Sequence, residues 1–168
     1  MIIPAYVQRM APYNQWQNEN QYGAADRLPE LERTRQTGAF WRSIHGTLSH
    51  LMWGDQIWMR RFEPSLPPPR AASGAESAAA YPDWDELKRE RQAFDTVMIG
   101  WANTLTPAWL EGDLTYHSRI AKRDLSLPKW MLVTHLFNHQ THHRGQVHCM
   151  LTQAGVKPGD TDLPFLRI

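Results

Sequence analysis

The chain has one cysteine, Cys149, in 168 residues. That excludes an internal disulfide and any cysteine-based zinc knuckle, so a metal site here must be built from nitrogen and oxygen ligands. No apolar run approaches the roughly 20 residues of a helical membrane span. The opening Met1–Met10 lacks the charged-then-apolar order of a secretory signal, so the expected location is the cytoplasm, with no membrane association. There is also no charge excess: 18 basic against 17 acidic side chains leave a net charge of +1. A near-neutral balance offers no footprint for nucleic acid.

What the chain does have is histidine and tryptophan, eight of each. Its 42% hydrophobic and 21% charged residues suit an ordinary globular protein, and its length suits one domain spanning residues 1–168. Five histidines, His135, His139, His142, His143 and His148, fall in a single stretch near the C-terminus. Histidine is the commonest protein ligand for transition metals.

Apolar periodicity predicts four long helices. The first runs over 4–25, with Pro4 suited to an opening turn. A polar connector with a short helical turn follows over 28–35. The second helix is expected over 38–62, with Phe40, Ile44, Thr47, Leu51, Trp58 and Phe62 on one face. The Pro-, Ala-, Ser- and Gly-rich stretch 65–80 reads as a loop or mobile link. The third helix covers 82–105, capped by Asp83 with Glu86 three residues on. Residues 114–118 and 124–127 are two short strands or extended loop. The fourth helix runs over 128–153 and ends before Gly155. A tail over 157–168 is expected to wrap the surface in an ordered path. The fold class is therefore all-α, an up-down four-helix bundle with a short extended or hairpin excursion before the last long helix.

A helix turns about 100° per residue, so spacing assigns directions. On the fourth helix Leu132, Leu136, Val147 and Met150 draw the apolar face. His143 falls at its centre and His139 one turn earlier on the same side. His135 and His142 lie at its edge, and His148 points toward water. An i, i+4 histidine pair can share one metal, as in the His-Glu-x-x-His motif, although Gln140 occupies the place of that motif's glutamate. On the second helix His45 points away from the apolar face. His50 lies on its margin, beside the small Thr47 and Gly54. If the two helices are neighbours, His50 completes a three-nitrogen site with an open coordination position, the arrangement of catalytic metal centres. The plainer alternative is a set of core histidines bonded to backbone carbonyls.

Further segments carry a resemblance: Tyr13-Asn-Gln-Trp-Gln-Asn18, Ser43-Ile-His-Gly-Thr-Leu-Ser-His-Leu-Met-Trp-Gly-Asp55 with Trp58, Asn138-His-Gln-Thr-His-His-Arg-Gly-Gln146, Leu151-Thr-Gln-Ala-Gly155 and Thr161-Asp-Leu163. With them the chain resembles the DinB (YfiT-like) family of metal-dependent proteins over almost its whole length. The resemblance implies an up-down four-helix bundle, often homodimeric. Its metal ligands would be His50, His139 and His143, around a divalent ion that is commonly nickel or zinc. It further implies a small-molecule substrate and, in some members, transfer of a low-molecular-weight thiol. Such a metal would hold a thiol as thiolate for attack on an electrophile, or acidify a bound water for hydrolysis. The rivals are a metal-dependent hydrolase and a non-enzymatic metal-binding stress-response protein.

Around these ligands, Gln146 either hydrogen-bonds a group of the outer shell or a metal-bound water, or simply packs. Asp55 either orients an imidazole or caps a network, and the plainer alternative is a partly exposed helix charge. Trp53 and Trp58 are candidate pocket walls, with bundle core the favoured role for Trp58, and Tyr13, Asn14 and Trp16 either approach the site or pack the core. Arg144 is expected across the helix, at the surface or a dimer contact, and Cys149 off the ligand face.

Overall fold

The computed structural model describes residues 1–166. It is mostly helical, with one small two-stranded sheet. Its α-helices are α1 (Pro4–Ala25), α2 (Glu30–Thr34), α3 (Ile44–Phe62), α4 (Trp84–Thr104), α5 (Pro107–Glu111) and α6 (Lys129–Gln153). Strands β1 (Asp113–Ser118) and β2 (Arg123–Pro128) pair antiparallel, with Asp113 opposite Pro128 and Ser118 opposite Arg123. Among the described residues no helix is long and apolar enough to cross a membrane.

The long helices begin and end where local chemistry directs. Pro4 opens α1, where its missing N–H costs nothing. Asp83 accepts from the Glu86 N–H to cap α4. Gly155, at φ +82°, takes the left-handed position after α6. α3 starts later than its periodicity predicts. Ser43 accepts from the Gly46 N–H and makes Ile44 the first helical residue. Residues 39–42 form a tight turn closed by an Ala39–Arg42 bridge, with Arg42 at φ +70°. Phe40, expected on the buried stripe, therefore lies in the turn and is 76% exposed.

α1 packs on α4 and α6, and α3 packs on α6 and, less extensively, α4. The apolar core forms two clusters. One gathers Val7, Trp58, Phe62, Trp101, Leu132 and Phe137; the other gathers Tyr22, Leu48, Met52, Trp84, Leu87 and Val147. Between them runs a buried polar belt contributed by all four long helices. Arg91 of α4 bonds Asp55 of α3 at 2.6 Å and Asp95 at 2.9 Å, all three at most 3% exposed. Asn18 of α1 donates to Asp95, and Gln140 of α6 donates to Asp55. A buried ion pair gives little net stability against an apolar substitute, but removing one partner strands the other charge. The Asp55–Gln140 bond keys the register of α3 against α6.

The stretch expected as a loop or mobile link is an ordered cover on α3. It contains a 3-10 helix, Gly74–Ala79. Ser49 donates to the Ser77 carbonyl, Trp53 to the Ala71 carbonyl, and His45 lies 2.7 Å from the Tyr81 carbonyl. Buried side-chain donors are satisfied by this cover's backbone, which pins it down. The C-terminal tail lies along α1: Tyr13 donates to the Thr161 carbonyl and Gln17 to the Asp160 carbonyl. The expected wrap extends to Arg167 and Ile168, which lie outside the described residues.

Candidate metal centre

Register and packing bring one residue of α3 and two of α6 together. His50, His139 and His143 each offer a ring nitrogen, and these three atoms lie within 4.8 Å of one another. His50 Nε2 and His139 Nε2 are 3.1 Å apart. The ring centroids of His139 and His143 are 4.6 Å apart, those of His50 and His143 4.7 Å.

Their outer partners decide which nitrogens face inward. Ser77 Oγ donates to the Gly74 carbonyl at 2.6 Å, so it can only accept from His50 Nδ1, 2.7 Å away. His50 thus carries its proton on Nδ1 and turns the Nε2 lone pair toward the other rings. His143 Nδ1 donates to Gln146 Oε1 at 2.8 Å, which likewise frees its Nε2. Trp41 stacks on His50 at 3.9 Å between centroids and 20° between planes, which fixes the ring orientation. Such outer contacts commonly hold histidine ligands in place.

Two glycines make this close approach feasible. A Cβ on Gly54 would sit 2.8 Å from His139 Cε1 and 3.2 Å from its Nδ1. A Cβ on Gly46 would meet the Trp41 carbonyl oxygen at 2.5 Å, so Gly46 admits the turn that delivers Trp41 to His50.

Burial disfavours the imidazolium form. Desolvation, then the neighbouring rings, pushes His50 down to about 3. The same causes push His139 to about 3, and burial lowers His143. At neutral pH all three are uncharged, the form that donates to a metal. His139 Nδ1 is buried without a hydrogen-bond partner. With its proton on Nδ1, His139 would turn a second lone pair toward that of His50 Nε2, 3.1 Å away, and a cation between them would take both. Metal–imidazole bonds of about 2.0–2.1 Å put two ligand nitrogens about 2.9–3.4 Å apart, so the 3.1 Å spacing of His50 and His139 fits a shared divalent ion.

The rings lie along a cleft of about 1670 Å³ between α3, its cover, the 39–42 turn and the hairpin. Trp41, Trp53, Trp58 and Tyr116 supply aromatic walls. Trp58 also belongs to the apolar core, so it serves both roles.

Other candidates lie elsewhere. His135 lines the cleft, 6.0 Å from the His139 ring, but is outside the three-histidine group. His142 is exposed, and His148 is half-buried rather than fully in water. His45 is 7% exposed under the cover rather than pointing into solvent. Asp55 joins the polar belt and is fully buried, not a partly exposed charge. Arg144 is also buried, not at the surface. It donates to Asn14 Oδ1 and lies over the Tyr13 ring, and burial lowers its pKa to about 10. Asn14 therefore serves Arg144, not the histidines, while Tyr13 and Trp16 pack edge to face on α1. Cys149 is exposed.

Trp41 and Ser77 escape sequence reasoning. Trp41 falls in a turn read as the start of a helix, and Ser77 in a stretch read as a loop or mobile link. The usable signal was Gly46, a glycine inside a helix that invites a close backbone approach.

No curated protein matches this chain in a sequence search. The family model described as the DinB family matches residues 1–167, essentially all of it. With that match across the segments that carry the three histidines, the chain belongs to the DinB family.

Proposed function

We propose that the protein holds a divalent ion, nickel or zinc, through His50, His139 and His143, and is a metal-dependent enzyme that transfers a low-molecular-weight thiol to a small electrophile. On this reading the long helices form the family's up-down bundle. The observation that carries it is the convergence of three neutral imidazoles, two of them with lone pairs directed inward by Ser77 and Gln146, on a cleft large enough for a small molecule. A divalent ion there supplies Lewis acidity, lowering the pKa of a thiol that joins it. The chain's own residues orient and shield. Ser77 and Gln146 hold the ring tautomers, Trp41 covers the outer face of His50, and Trp53 and Trp58 keep bulk water from the cleft wall.

Thiol transfer is favoured over hydrolysis by the lining of the cleft. Among the described residues no Asp or Glu lines it. Gln140, in the place of the glutamate base of a His-Glu-x-x-His hydrolase, turns into the core onto Asp55. A thiol acidified by a metal needs no such carboxylate.

The test is metal content by elemental analysis, followed by thiol addition to cobalt-loaded protein. Wild type should carry one ion per chain. His50→Ala, His139→Ala and His143→Ala should lose most of it, and His148→Ala should keep it. The cobalt spectrum should shift on adding a thiol. Equal metal content in all four variants would overturn the site, and an unresponsive spectrum would overturn the thiol chemistry.

A further inference from the structure

The walls of the cleft are lopsided in charge. The chain is nearly balanced, with 18 basic and 17 acidic residues, yet its lining includes Arg42, Arg61 and Arg119 and, among the described residues, no carboxylate. A cleft lined by one sign of charge and walled by aromatic rings concentrates small molecules of the opposite sign.

The three arginines are not equivalent. Arg42 is exposed on the 39–42 turn, and Arg119 spends its guanidinium on the Ala72 carbonyl. Arg61 is held differently. Its guanidinium carbon lies 4.4 Å over the Trp58 ring and 4.3 Å over the Tyr116 ring. Two aromatic faces, one from α3 and one from β1, grip a planar cation. Among the described residues no carboxylate lies within salt-bridge distance of it, unlike Arg35, Arg70 and Arg91. Its edge N–H groups, the ones that recognise a carboxylate in a fork, remain free for a ligand.

Its position relates it to the histidines. Arg61 follows His50 by eleven residues on α3, which returns it to nearly the same face about 16 Å further along the axis. Its side chain folds back over Trp58, toward the histidine end, as helical side chains do. Trp58 stands 5.0 Å from the His135 ring, and His135 stands 6.0 Å from His139. Arg61, Trp58, His135 and His139 thus form one continuous wall.

We propose that the cleft selects a small molecule with an apolar body and a carboxylate at one end, and that Arg61 anchors the carboxylate while the other end reaches the three histidines. The inference rests on the reading of the cleft as the substrate site. Arg61 is a specificity-determining residue on this account, and the body of the ligand lies against Trp58 and Tyr116.

The experiment measures binding of 6-phenylhexanoate and of its primary amide to the full chain by isothermal titration, in metal-loaded and EDTA-treated samples. The acid should bind about tenfold or more tighter than the amide in both samples, as expected of a charge-assisted fork. Added salt should shrink the difference. Arg61→Gln should abolish the preference and Arg61→Lys should reduce it severalfold, with helical circular dichroism unchanged; Arg119→Gln should leave it in place. Should Arg61→Gln fail to fold, the Arg61→Lys comparison decides. Equal affinity for acid and amide, no binding of either at millimolar concentration, or a preference that survives in both Arg61 variants would overturn the proposal. A preference seen only in the metal-loaded sample would also overturn it, because the carboxylate would then be on the ion. Elemental analysis of the same samples reports separately on the metal reading.

Discussion

Gly54→Ala places a single methyl between α3 and the His139 ring. Its Cβ would stand 2.8 Å from His139 Cε1, against an ordinary carbon–carbon contact of about 3.5 Å or more, so the ring must retreat by about 0.7 Å. The effects on fold and on site have different sizes. Alanine raises helix propensity over glycine by about 0.5–1 kcal/mol, while overpacking costs about 1–3 kcal/mol, so the net loss of stability is expected near 1 kcal/mol. Metal–ligand bond lengths hold to within about 0.2 Å of their usual values, well under the ring's retreat. Metal affinity should therefore fall about 10–100-fold, the range seen when support of a ligand is lost. Gly100→Ala is the control, because a Cβ there meets nothing within 4 Å. It should gain about 0.5–1 kcal/mol and leave affinity unchanged. Zinc titration calorimetry with thermal unfolding of the metal-free proteins separates the two effects. Wild-type zinc affinity in Gly54→Ala would refute the claim that this glycine exists to admit the ring.

Two other outcomes follow from buried charge and protonation. Asp55→Ala removes a carboxylate that Arg91 and Gln140 both bond, and Asp95 compensates only in part. Urea denaturation should show a loss of about 3 kcal/mol, with Asp55→Asn losing less; a loss under 1 kcal/mol would show the belt to be dispensable. The metal-free protein should also weaken in acid. Burial lowers His50 and His139 from 6.5 to about 3, so between those values the unfolded chain binds protons that the folded chain refuses. Their contribution is fully present above about pH 6.5 and is lost as the pH falls toward about 3. The double variant His50→Gln/His139→Gln should flatten that part of the stability profile, and an unchanged slope would contradict the shifted titrations.

Much of the fold was legible in local patterns because helix periodicity and caps are properties of neighbouring residues. The ranges of α1, α4 and α6 follow from Pro4, Asp83 and Gly155, and the inward face of His139 and His143 follows from their four-residue spacing. The start of α3 was misread because Phe40 and Ile44 share a helical spacing. A cap at Ser43 and a left-handed Arg42 override it. Arg144 was misplaced for a related reason, while Asp55 takes the network role open to it and not the exposed one. A charge on a helix is ordinarily solvated, and only partners from other helices make its burial tolerable.

Residue order alone determined that nitrogen rather than sulfur must hold any ion, and that two imidazoles share one side of the last long helix, because composition and helical pitch need no knowledge of the rest of the chain. Which ring joins them from α3, which nitrogen His50 and His143 turn inward, and which arginine is held between two aromatic faces along the same cleft were decided only in three dimensions. Those outcomes depend on Ser77, Trp41, Gly54 and Tyr116, contacts between segments far apart in sequence whose geometry is set by the packing of α3 against α6, the cover and the hairpin.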